Sequence, residues 1–107
     1  MSAQVREIIV YRIQADQLAE FEAVKEQMIS ESLTLEGLLS STTAQVLDEE
    51  GVFADTMIWT SREASAAALP SFEQLPTAPR FLSMFDGPPL HHLFLEFQPD
   101  QPVSAAA

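Results

Sequence analysis

The chain has 107 residues, 47% of them hydrophobic, and its 16 acids against 5 bases give a formal net charge of −11. That length suits one domain burying roughly two-thirds of its unfolded surface, and the acidic field argues against nucleic acid and anionic membranes as partners. No cysteine is present, which excludes disulfides, a thiol nucleophile and thiolate metal sites.

Residues 5–13, Val-Arg-Glu-Ile-Ile-Val-Tyr-Arg-Ile, read as a strand rich in β-branched side chains. Ile8 and Val10 point one way, Ile9 and Tyr11 the other, so the strand needs cover on both faces. Asp16 is placed to cap a helix running to Leu33, in which Leu18, Phe21, Val24, Met28 and Ile29 recur at helical spacing. Leu38–Leu47 forms a second strand. Asp48-Glu49-Glu50-Gly51 is a turn, and Val52–Thr60 is a third strand completing a hairpin. Ser61 caps a short helix with Ala64–Ala68 as its body. Pro70, Pro76 and Pro79 are expected to break the next stretch into short pieces, with another helical turn or two at Arg80–Phe85. Asp86-Gly87-Pro88-Pro89 turns the chain into a last strand, Leu90–Phe97. A single domain over residues 1–97 and a loose tail over 98–107 are expected.

This βαββαβ order predicts a ferredoxin-like α+β fold: a four-stranded antiparallel sheet with helices on one face. The other face would be an apolar patch, most simply covered by a second copy, sheet on sheet, in a two-fold homodimer. No apolar run approaches the length of a membrane span. The start Met1-Ser2-Ala3-Gln4 does not read as a signal peptide, so the expected location is cytoplasmic.

Four features resemble the dimeric α/β-barrel superfamily and, within it, the antibiotic-biosynthesis-monooxygenase-like group. They are the apolar first strand with its Phe21 helix; Glu36-Gly37-Leu38-Leu39; the run Asp55-Thr56-Met57-Ile58-Trp59-Thr60-Ser61-Arg62-Glu63-Ala64; and the Phe81/Phe85 segment leading to a strand with histidines. The resemblance implies a pocket between sheet and helices in each subunit of a dimer. It also implies activities that include cofactor-free oxygenation of aromatic polyketides or quinols and haem degradation. The chain has no asparagine, so it cannot match the asparagine, histidine and tryptophan set that the haem-degrading members share. The oxygenases also usually carry an asparagine near the tryptophan.

Asp55 and Trp59 lie on one face of the third strand with Phe53 and Met57. An aspartate in apolar surroundings suits a general acid or base; alternatively it is an edge residue bonded to a neighbour or to Arg62. His91 and His92 point to opposite faces of the last strand, so they cannot chelate together, and no multi-histidine metal site is expected. His92 is the one placed to pair with Asp55 if the registers allow, although either histidine can be structural. Tyr11, Met57, Phe81, Phe85 and His91 are candidate substrate-binding residues. Tyr11 can equally be a core residue, and Arg80 can either anchor an anion or pair with a nearby carboxylate. Met28, Met57 and Met84 also read as packing material. No phosphate loop or dinucleotide fingerprint is present, so no cofactor is expected. The expected function is therefore binding, or cofactor-free oxygenation, of an aromatic or lipophilic compound with Asp55, His92 and Trp59 as catalytic residues. The alternative is a non-catalytic, stress-associated ligand-binding or structural dimer module.

Overall fold

A computed structural model of the protein describes residues 4–97, apart from the side chain of Phe97. The expected tail at 98–107 lies outside the described residues. The element order is β1 (Gln4–Arg12), a 3-10 turn (Ala15–Gln17), α1 (Leu18–Ser32), β2 (Leu38–Gln45), β3 (Val52–Trp59), α2 (Arg62–Glu73), α3 (Ala78–Ser83) and β4 (His91–Phe97). The four strands form one antiparallel sheet in the order β2-β3-β1-β4. This is the ferredoxin-like arrangement, in which each βαβ pair is split by an intervening strand.

Cross-strand partners share a face of the sheet. Val5 pairs with Trp59, Glu7 with Met57 and Phe94, Ile9 with Asp55 and His92, and Tyr11 with Phe53. These side chains lie under the helices. The opposite face carries Ile8 beside Thr56 and Leu93, Val10 beside Ala54 and His91, and Arg6 beside Ile58 and Leu95. Leu93 and Leu95 are 50% and 47% exposed there.

The core has two parts. Tyr11, Ile13, Phe21, Met28, Phe81 and Met84 form one, and Leu35, Leu38, Trp59 and Ala68 form the other; Phe72 and Leu75 pack against both. Aromatic rings fill the first part, with Tyr11 stacked on Phe85 at 4.6 Å between centroids and Phe21 against Phe53 at 4.3 Å.

Three local expectations are corrected. Asp16 does not cap α1; it sits in the 3-10 turn, and α1 begins at Leu18 without a side-chain cap. Pro70 does not end α2, which continues to Glu73. Pro70 and Ala66, four residues before it, are both exposed, so the proline's missing bond and ring fall on the solvent side, where the helix tolerates them. The second and third strands end one or two residues earlier than the pattern suggests. Ser61 does cap α2, its hydroxyl accepting from the Ala64 N–H at 3.1 Å.

Gly37 has a structural requirement of its own. Its φ of +87° is left-handed, and a Cβ placed on it would lie 2.6 Å from the Ala64 Cβ. Only glycine lets the loop before β2 approach α2 this closely. In the last turn of α1, the Glu31 carboxylate accepts the Thr77 N–H at 2.9 Å as well as the Thr77 hydroxyl, tying α1 to the start of α3. Those two bonds hold the Glu31 carboxyl below its ordinary range.

Candidate functional site

Between the sheet and the helices lies a cavity of about 170 Å³, similar in size to one that accepts a benzene-scale guest. Met28 from α1, Met57 and Trp59 from β3, Leu69 and Phe72 from α2, and Phe81 from α3 supply most of its apolar wall. Four ionisable residues also border it: Lys25, Asp55, Glu7 and His92. They form two separate groups.

The first group is buried. Phe21, Lys25, Met28 and Ser32 form the buried stripe of α1, and their spacing of four, three and four residues is that of one helix face. Lys25 therefore points inward and forms an ion pair with Asp55. Asp55 Oδ1 accepts from the Tyr11 hydroxyl and from Thr43 Oγ1, each at 2.8 Å, while Oδ2 accepts from Lys25. The carboxylate accepts three hydrogen bonds, one of them from a cation. Asp55 is thus an anchor in its surroundings rather than an isolated acid in an apolar wall.

Burial pushes the Lys25 ammonium below the ordinary lysine range, against the opposing pull of Asp55. Burial also pushes the Tyr11 phenol far above its ordinary value of 10.0, reinforced by the charge of Asp55 and by the hydrogen bond to it. The unfolded chain releases this proton near pH 10, whereas the folded chain keeps it, so stability falls as pH rises beyond that point. Tyr11 is the chain's one tyrosine. In an alkaline titration followed by phenolate absorbance and circular dichroism, phenolate is expected only as the structure is lost. Phenolate appearing near pH 10 with the dichroism intact would contradict this placement.

The second group lies at the mouth. Trp59 Nε1–H donates to Glu7 Oε1 at 2.9 Å, and His92 Nε2 lies 2.6 Å from Glu7 Oε2. The Glu7 side chain is 12% exposed and that of His92 is 45% exposed. His92 does not pair with Asp55. Both are opposite Ile9, one on each side of β1, which separates their backbones by two strand spacings, about 10 Å. Glu7 is the diagonal neighbour that a histidine in this register can reach. Such a bond from Nε2–H leaves Nδ1 as the accepting nitrogen of a neutral ring. Beside the histidine, Phe94 lies 4.9 Å from its ring, and the Arg62 guanidinium stacks on Phe94 at 4.2 Å. Arg62 is therefore not a partner of Asp55.

Among the expected site residues, Asp55, Met57, Trp59, Phe81 and His92 border the cavity. Tyr11 and Phe85 do not; they stack on each other in the core, and Tyr11 meets the site through Asp55 and Lys25. His91 faces the opposite side of the sheet beside Val10. Arg80 is engaged by Gln17 at 2.8 Å and by Glu20. Lys25 and Glu7 are site residues that the sequence pattern did not single out. The signals were there, since Lys25 falls in line with Phe21, Met28 and Ser32, and Glu7 shares its face of β1 with Ile9 and Tyr11. Among the described residues, no group of three histidines or carboxylates is arranged to hold a metal ion.

The family model described as antibiotic biosynthesis monooxygenase matches residues 4–75. This chain belongs to that family. Its matched part runs from β1 through α2 and includes Glu7, Lys25, Asp55 and Trp59, whereas His92 lies beyond it. Solved structures share the family member's fold at low sequence identity. One is a Nitrosomonas europaea protein assigned to antibiotic biosynthesis monooxygenases, with a TM-score of 0.73, 11% identity, and coverage of 95% of this chain and 97% of that one. SnoaB, a cofactor-independent oxygenase from Streptomyces nogalater, gives 0.69 at 19% identity, covering 95% and 98%. Rv0793 from Mycobacterium tuberculosis gives 0.65 at 17% identity, covering 98% and 100%. No curated protein shows significant sequence similarity to this antibiotic biosynthesis monooxygenase family member. No helix among its described residues is long and apolar enough to cross a membrane.

Proposed function

We propose that this protein is a homodimeric, cofactor-free monooxygenase acting on an aromatic compound, with His92 as the base. The observation that carries this reading is an apolar cavity with a histidine at its mouth, held by a carboxylate that Trp59 also fixes. An oriented base next to a largely apolar, ring-sized space is the minimum that such chemistry needs. His92 takes the hydroxyl proton of a phenol. The resulting anion passes one electron to dioxygen, and the ring radical and superoxide combine as a peroxide. Loss of water from that peroxide leaves a new ring carbonyl. Asp55 positions Lys25, and Trp59 serves as a wall of the pocket and as a donor to Glu7. The likeness to SnoaB, itself a cofactor-independent oxygenase, supports the reaction class.

The dimer forms through the outer sheet face, where Ile8, Val10, Ile58, Leu93 and Leu95 would otherwise meet water. The cavity lies on the other face, so each subunit keeps its own site.

Oxygen uptake with an anthrone or quinol probe tests the reaction. His92→Ala is expected to keep its fold and lose about 10²- to 10⁴-fold in kcat, the usual contribution of a general base. Full turnover by His92→Ala would refute the assignment. A wild-type protein whose Trp59 fluorescence is quenched by the probe while no oxygen is consumed would mark a binding module instead.

A further inference from the structure

We propose that Lys25 anchors the bound compound in this cavity by donating to an acidic oxygen on its ring (a phenolate, enolate or carboxylate), and that it thereby selects the ionised form. The inference rests on the ring-binding reading above and adds to it which end of the cavity receives the oxygen.

Donor and acceptor capacity at the cavity floor is unequal. Asp55 already accepts three of the roughly four hydrogen bonds open to a carboxylate, Oδ1 from Tyr11 and Thr43 and Oδ2 from Lys25. An ammonium has three donors and no acceptor. Among the described residues, Asp55 is the single oxygen partner of Lys25. On its other sides Lys25 meets the faces of Phe81, at 4.4 Å to the centroid, and Tyr11, at 5.8 Å. The hydrogen-bonding capacity left at this end is therefore mostly donor capacity on a positive charge, and Lys25 borders the cavity. At the mouth the balance is reversed, because the Glu7 carboxylate repels an anion. An acidic oxygen is directed to the floor, with the rest of its ring against Met57, Phe72 and Phe81. A second hydroxyl on the same ring then lies at the mouth, where His92 takes its proton. Burial disfavours the Lys25 charge, and a second anionic partner offsets that cost.

Para-nitrophenol tests this, since its phenolate has a visible band and its binding is read independently by quenching of Trp59, the chain's one tryptophan. Bound to the wild-type protein, it is expected to ionise at a pH lower by about one unit than when free. In Lys25→Met that shift disappears and affinity falls about tenfold or more. Because Lys25→Met strands the Asp55 charge, the double variant Lys25→Met/Asp55→Asn is measured beside it, with circular dichroism to establish the fold. Quenching with no shift in ionisation in the wild type overturns the role of Lys25 and leaves the ring-binding cavity standing. An unchanged shift and affinity in the double variant do the same. Absence of quenching in the wild type overturns both.

Discussion

Lys25→Met is expected to destabilise the fold by about 3–5 kcal/mol, the usual consequence of removing one partner of a buried ion pair. Both side chains are under 10% exposed, so the Asp55 carboxylate left behind is largely shielded from water. Tyr11 and Thr43 still donate to Oδ1, which lessens the loss but does not neutralise the charge. Lys25→Met/Asp55→Asn removes both charges, and the amide that replaces the carboxylate still offers an oxygen to Tyr11 and Thr43. That double variant is expected to recover most of the loss, because exchanging a buried pair for neutral groups is often close to neutral. Denaturant midpoints at unchanged slope report the difference. A single variant as stable as the double would show that the pair is not buried in the folded protein.

The second large effect concerns the outer sheet face. Leu93→Glu with Leu95→Glu is expected to turn the proposed dimer into monomers at micromolar concentration by sedimentation. Each leucine is about half exposed in the single subunit, so covering the remainder contributes roughly 1 kcal/mol per side chain. Two-fold symmetry places four such side chains at the interface. Their loss alone weakens association about a thousandfold, before the repulsion among four glutamates is counted. The cavity lies on the other side of the sheet, so quenching of Trp59 by a bound probe is expected to survive. Wild-type protein that sediments as a single subunit at the same concentration would remove the dimer from the account.

Much of this arrangement is legible in the residues because strands alternate faces. The spacing of Phe53, Asp55, Met57 and Trp59 puts them on one side of β3 whatever the rest of the chain does. The order of elements leads to the ferredoxin-like sheet, and Ser61 before Arg62-Glu63-Ala64 marks the start of α2. Pairing between strands is not legible. Asp55 and His92 are on the same face, yet the register places Ile9 between them, and sequence contains no direct measure of register. Lys25 falls by its residue type on the polar side of α1, because charged residues belong in water on average. The buried line from Phe21 to Ser32 runs through it nonetheless, and only the presence of Asp55 across the cavity accounts for a lysine there. Pro70 misleads for a related reason. Proline in a helix carries a cost and not a prohibition, and here the Ala66 carbonyl that loses its partner lies on the exposed side, where water can bond it.

Both polar groups of the site follow from one structural fact. The strand β1 is flanked by β3 and β4, so Glu7 and Ile9 collect partners from both sides. Glu7 gathers Trp59 from β3 and His92 from β4, while Tyr11 at the far end of the strand reaches Asp55. A ring compound lying over Ile9 has the ammonium at one end and the imidazole at the other.

A crystal of the protein soaked with para-bromophenol gives the most direct measurement of that geometry, since the bromine can be located by anomalous scattering. The account predicts the ring in the cavity over Ile9, its oxygen within hydrogen-bonding distance of Lys25 Nζ, and bromine against the apolar wall. A cavity closed by its own side chains, with bromine found only elsewhere, would contradict it.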